Sequence, residues 1–149
     1  VKDDGQPNTI ANEYVVYDIE NSQIKKVPVP DEIIDSIGSA SAVFQSTLFI
    51  PSQTANGIEV NQYDIENEKW DEKLIFDLAD TIDEEYSYLK VMNGRLYAVI
   101  PTINGDILYI GDLETGKSLY EGKLEVKNQR DNQEEDHLYI YEILEGADF

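Results

Sequence analysis

The chain has 149 residues, with 11 Lys and Arg against 31 Asp and Glu, for a formal net charge of −20. A field of that sign repels phosphates and argues against electrostatic docking on nucleic acid or an anionic membrane, and the absence of cysteine excludes disulfides, thiolate chemistry and Cys-based zinc sites. With 41% hydrophobic residues the chain can bury a core, yet no apolar run approaches the roughly 18 residues of a membrane span.

The opening VKDDGQPNTIANE lacks the basic, apolar and small-residue zones of a secretory leader. Together with the Val1 start, this leads us to expect a mature or excised piece of a longer protein. Tyr14 to Pro30 then reads as two strands joined at Asp18 to Asn21. Asp31 to Gly38 could place Ile33, Ile34 and Ile37 on one helical face, but it is short and reads as a single turn or a loop. Ser41 to Phe76 holds four short strands. A second set of four follows at Tyr88 to Met92, Arg95 to Ile100, Ile107 to Leu113 and Ser118 to Val126, each alternating apolar and polar residues. Asn93-Gly94 supplies the positive φ angles of a two-residue hairpin, Pro101 to Gly105 reads as a loop, and Glu114 to Lys117 as a tight turn around Gly116. Beyond Val126 an acidic stretch, Asp131 to Asp136, leads into the apolar run His137 to Leu144.

These strands recur. Val43 and Leu48 fall on Val91 and Leu96, a step of 48 residues, and the same register carries Asn56-Gly57 onto Asn104-Gly105 and Asp64 onto Asp112. At a step of 46, Tyr17-Asp18-Ile19-Glu20-Asn21 repeats as Tyr63-Asp64-Ile65-Glu66-Asn67. The chain therefore divides into strands C and D of a first unit (residues 1–30), whole units at 31–79 and 80–126, and the start of a fourth at 127–149. A lone four-stranded sheet cannot cover both of its faces. Stacking successive sheets is the physical remedy, and the expected fold is all-β, with four-stranded antiparallel blades of a β-propeller, about three in number and partial at both ends.

The residues also resemble known blades. Leu108 to Tyr120 is similar to the quinoprotein-type propeller repeat, through Asp112, Thr115-Gly116 and Tyr120, and Val60 to Trp70 resembles the second half of a kelch repeat, through Tyr63 and Trp70. Pro51-Ser52 stands where a kelch repeat has its diglycine, and Tyr120 where the quinoprotein repeat has tryptophan. The resemblance implies blade structure over most of the chain and leaves activity open.

Asp18, Asp64 and Asp112 precede turns whose amides a carboxylate can bind, so their expected role is structural, while the aromatic beyond each turn is expected to pack between sheets. Gly111 to Ser118, GDLETGKS, matches the phosphate-loop pattern as text. That mechanism needs a helix after the loop, whereas SLYEGKLEV alternates like a strand, and Asp112 and Glu114 repel a nucleotide. The acidic clusters Asp80 to Glu85 and Asp131 to Asp136 could offer oxygens to calcium but lack the spacing of a calcium loop, so no cofactor is expected and both read as solvated connections. His137, the single histidine, has no nucleophile elbow to serve and reads as a strand-entry residue. Most of the ten tyrosines are expected in the core between sheets.

Strand parity brings the B–C loops and the D–A connections to one edge of every blade. There it gathers Gln53, Asn56, Asp83, Glu84, Glu85, Tyr86 and Asn104, an acidic, hydrogen-bonding face for a cationic or polyhydroxylated partner. Three blades are too few to close a ring comfortably. Either the chain is a fragment of a longer propeller, the reading favoured here, or two chains form a homodimer that completes one. The functional expectation is a non-catalytic module for protein or ligand recognition, on a bacterial surface or secreted, as Asn, Ile, Lys and Tyr usage fits. The alternatives are an extracytoplasmic carbohydrate-binding or carbohydrate-active protein and a structural scaffold.

Overall fold

The computed structural model describes residues 13–36, 40–82, 87–125 and 142–146. Among them there is no α-helix, and no helix long and apolar enough to cross a membrane. The fold is all-β and its named sheets are antiparallel throughout. The chain separates into two units, Val1–Ile37 and Gly38–Phe149.

In the first unit, β1 (Glu13–Asp18) pairs with β2 (Gln23–Pro28), and a 3-10 helix (Asp31–Ser36) follows. The segment read as a single turn or a loop is thus a short helix of the tight kind, opened by the bond from Ile33 N–H to the Pro30 carbonyl.

The second unit holds two sheets. In the first, β3 (Ala42–Phe44), β4 (Thr47–Thr54) and β5 (Gly57–Asp64) form a meander, and β5 then pairs with both β6 (Lys69–Trp70) and β7 (Leu74–Asp77). Four strands were expected and five are present, because the last is broken. Between the pairs Val60↔Leu74 and Tyr63↔Trp70, Asn61 and Gln62 face three residues, Asp71 to Lys73, so one extra residue bulges out. Gln62 bridges the break: its carbonyl accepts from Asp71 N–H at 3.0 Å and its side-chain amide donates to the Glu72 carbonyl at 2.6 Å.

The second sheet runs β8 (Tyr88–Met92), β9 (Arg95–Thr102), β10 (Gly105–Asp112) and β11 (Ser118–Lys123), in that spatial order. Pro101 to Gly105, read as a loop, is shorter than that. β9 continues through Pro101 to Thr102, and only Ile103 and Asn104 lie outside the ladder before Gly105 restarts it. β11 also stops at Lys123 rather than running to Val126.

The 48-residue step holds at the level of the backbone. Thr47–Thr54 maps onto Arg95–Thr102 and Gly57–Asp64 onto Gly105–Asp112. The Ile65 N–H donates to the Ser46 carbonyl and, one repeat later, the Leu113 N–H donates to the Gly94 carbonyl, both at 2.9 Å.

The two sheets face one another across one apolar core. Phe49, Ile58, Val60 and Phe76 from the first sheet meet Val91, Leu96, Ala98, Ile100 and Tyr109 from the second. The Phe76 and Tyr109 rings meet edge to face with centroids 5.8 Å apart. Two glycines admit rings from the other sheet: Gly111 lies under Phe76, and Gly94, at φ 74°, lies under Phe44. β9 is buried on both faces from Leu96 to Pro101.

Candidate functional site

Three turns show what the repeated aspartates do. Asp18 accepts from the backbone and side-chain amides of Asn21, and Asp64 does the same with Asn67, at distances of 2.7 to 3.1 Å. Asp112 accepts from Glu114 N–H at 2.8 Å and Thr115 N–H at 3.3 Å. Four residues beyond each aspartate stands a left-handed residue, Ser22, Glu68 or Gly116. These hydrogen bonds, to the asparagine side chains at Asp18 and Asp64 and to the Glu114 backbone at Asp112, hold all three carboxyls below the ordinary carboxylate range.

The same geometry explains why GDLETGKS is not a phosphate cradle. β11 follows the turn, so no helix terminus points at it. The amides of Glu114 and Thr115, which a phosphate would require, are already taken by the Asp112 carboxylate. The distal aromatics pack within their own sheets rather than between sheets as expected. Trp70 lies 5.0 Å, ring centre to ring centre, from its cross-strand partner Tyr63, and Tyr120 is half exposed with its ring over Gly122 on its own strand. Tyr63, Tyr97 and Tyr109 are buried, and Tyr17 and Tyr120 are not.

At the edge singled out by strand parity, the structure brings Gln53, Asn56 and Asn104 to the β7–β8 connection. The Gln53 side-chain amide donates to the Ile82 carbonyl at 3.1 Å, and the Asn56 carbonyl accepts from Leu78 N–H at 2.9 Å. Thr81 Oγ1 donates to the Ala55 carbonyl at 2.8 Å. On the second sheet, Ile82 N–H donates to the Pro101 carbonyl and Ile103 N–H to the Asp80 carbonyl, both at 3.0 Å. The connection is thereby stitched into both sheets. Asp83, Glu84, Glu85 and Tyr86 lie outside the described residues, as do Asp131 to Asp136 and His137.

Beside this seam opens a cleft of about 520 Å³. Asp80, Thr102, Asn104, Glu121 and Lys123 line it, with Ile107 as an apolar wall. Asp80 is held in the left-handed region at φ 59°, and Thr102 Oγ1 donates to the Gly105 carbonyl while accepting from Asn104 N–H. The side-chain amide of Asn104 makes no hydrogen bond among the described residues and is exposed. The cleft therefore offers an amide, two carboxylates and an ammonium group, a set suited to hydroxyl and amine ligands.

Asp80 entered the sequence reading only as part of an acidic connection, and Thr102, Glu121 and Lys123 were not named from the sequence. The signal was present for two of them, because parity also sends the end of each fourth strand, here Glu121 to Lys123, to this edge. Nearby Tyr109 is pushed up by burial, with the Glu121 and Asp77 carboxylates acting in the same direction and Ser118 against it, so it stays a neutral phenol at pH 7. Among the described residues no group of three or more His, Asp or Glu side chains forms a metal site. Comparison with known proteins finds no matching family model, no matching curated protein and no matching solved structure.

Proposed function

We propose that the chain is a β-propeller-type recognition module, non-catalytic and extracytoplasmic, that engages a polyhydroxylated or amine-bearing partner at the edge where its two-residue turns and sheet-to-sheet connection meet. Two successive sheets packed face to face at a 48-residue step support the propeller reading. The observation that carries the binding reading is the cleft. Its exposed Asn104 amide and the Asp80 and Glu121 carboxylates sit on turns and strand ends fixed by the stitched connection, which is how a rigid scaffold presents a variable site.

A glycan array and a protein pull-down with the full chain test this reading. We expect binding in one of them and loss of that binding in Asn104→Ala/Glu121→Ala. Unchanged binding by that variant, or by Asn56→Ala/Asn104→Ala, removes the edge as the site. The cleft's amide and carboxylates favour the carbohydrate alternative, because planar polar groups pair well with vicinal hydroxyls. Turnover of a sugar substrate would overturn the non-catalytic reading.

A further inference from the structure

On the second sheet, Tyr88, Lys90 and Tyr97 lie on the face opposite the shared core, since the alternate residues Leu89, Val91, Leu96 and Ala98 face that core. Residues 142–146, Glu-Ile-Leu-Glu-Gly, lie against them without joining a ladder. Among the described residues, its hydrogen bonds to the sheet all run to side chains of the β8–β9 hairpin. Lys90 Nζ donates to the Glu142 carboxylate and to the Ile143 carbonyl, the latter at 2.8 Å. The Tyr88 hydroxyl donates to Glu142 at 3.3 Å and accepts from Ile143 N–H at 3.2 Å. Three residues on, the Glu145 carboxylate accepts from the Asn93 amide at 2.6 Å and from the Tyr97 hydroxyl at 2.8 Å, with the Arg95 guanidinium against that hydroxyl.

One feature separates this contact from ordinary packing: the segment buries little. Leu144 is 77% exposed, and Glu142, Glu145 and Gly146 are exposed, which leaves Ile143 as its one partly buried residue. Its hydrogen bonds to the hairpin run through its two carboxylates and the Ile143 backbone, and with four of its five residues exposed its local stability is low, so another chain can replace it.

We infer that the outer face of β8–β9 is a receptor for an extended acidic peptide with two carboxylates three residues apart, and that residues 142–146 fill it as a displaceable internal ligand. Lys90 and Tyr88 read the first carboxylate together with the intervening backbone, and Asn93 and Tyr97 read the second. The outward Leu144 position leaves an incoming peptide free to add apolar contacts of its own. This surface is distinct from the cleft of the proposed function and does not depend on it.

The test uses the full chain and a fluorescein-labelled peptide with the sequence of residues 141–146, YEILEG. Glu142→Gln/Glu145→Gln weakens the internal ligand through exposed side chains, and circular dichroism checks that the fold is kept. We expect that variant to bind the peptide at least about tenfold more tightly than the wild type, as loss of charge-assisted hydrogen bonds implies. Adding Lys90→Gln is expected to abolish the gain. Amide chemical-shift changes on peptide addition are expected at Tyr88 to Tyr97. Equal affinity of the wild type and the variant, no binding by either, or shifts confined to other strands would overturn the inference.

Discussion

If the two sheets of the second unit stack face to face, Phe76 and Gly111 must be coupled. A Cβ added at Gly111 would lie 2.8, 3.0 and 3.2 Å from Cε1, Cζ and Cδ1 of the Phe76 ring, where carbon atoms prefer about 3.5 to 4.0 Å. Phe76 is 3% exposed and meets Tyr109 edge to face, so its ring has little room to retreat. Overpacking of this kind costs about 1–3 kcal/mol. Against it stands a gain of about 0.4–1 kcal/mol from reduced freedom of the unfolded chain, available because Gly111 is not at positive φ. Gly111→Ala should therefore destabilise by about 1–2 kcal/mol. In a Phe76→Leu background the ring is gone, the overlap disappears, and the same substitution should be neutral or slightly stabilising. Urea unfolding read by the single tryptophan, Trp70, and by circular dichroism gives all four corners of the cycle. The expected coupling exceeds 1 kcal/mol, whereas independent sites add to within about 0.3–0.5 kcal/mol. Additivity within that margin would refute direct contact between the sheets at this point.

Backbone space makes a sharper distinction between two turn glycines. Gly57→Ala places a Cβ, at φ 143°, on the Phe76 carbonyl oxygen and should cost more than about 3 kcal/mol, while Gly116→Ala, at φ 71° with Leu74 at 3.5 Å, should cost about 1 kcal/mol, as unfolding midpoints will show. For Asp112 the folded carboxyl is held below its ordinary value, so its stabilising effect is present above the unfolded carboxylate range near pH 4 and is lost as pH falls through the lower folded value. The gap in urea midpoint between wild type and Asp112→Ala should thus be full at pH 7 and close toward pH 2; relief of self-repulsion on acidification is nearly common to both proteins, so a pH-independent gap would contradict the assigned role. At the β3–β4 turn, Gln45 and Ser46 occupy φ 47° and 64°, the geometry that Asn93 and Gly94 adopt at 51° and 74°. Gln45→Asn/Ser46→Gly should raise stability by about 1 kcal/mol in the same urea assay.

The repeat made much of this fold legible, and local rules misread it where they overruled the repeat. Turn chemistry alone reads Pro101 to Gly105 as a loop. The 48-residue step aligns Pro101 with Gln53, one residue inside the end of β4, and Pro101 lies one residue inside the end of β9. Its carbonyl accepts from Ile82 in the β7–β8 connection, and since N–H and C=O of one strand residue point the same way, the missing donor faces that connection and costs β10 nothing. The turn at Gln45-Ser46 carries no local signal either, yet it copies the Asn93-Gly94 hairpin. Its carbonyl must receive the Ile65 N–H as Gly94 receives that of Leu113. In both sheets of the second unit the sheet decides the turn.

The first unit supplies the control for this argument. Its Asp18 turn repeats the hydrogen bonds and the left-handed residue of the Asp64 turn, so that geometry is written locally. Burial is not: Ile19 is 82% exposed, whereas its counterparts Ile65 and Leu113 are 7% and 2% exposed. Those two lie where an A–B hairpin supplies a carbonyl and apolar cover, which the β1–β2 sheet lacks among the described residues. The candidate cleft was harder to read for a related reason. Asp80, Thr102, Glu121 and Lys123 come from the sheet-to-sheet connection and from the ends of the second and fourth strands of one sheet. Strand parity sends those strand ends and the connection to one edge, but the cleft forms only once the connection is stitched across both sheets.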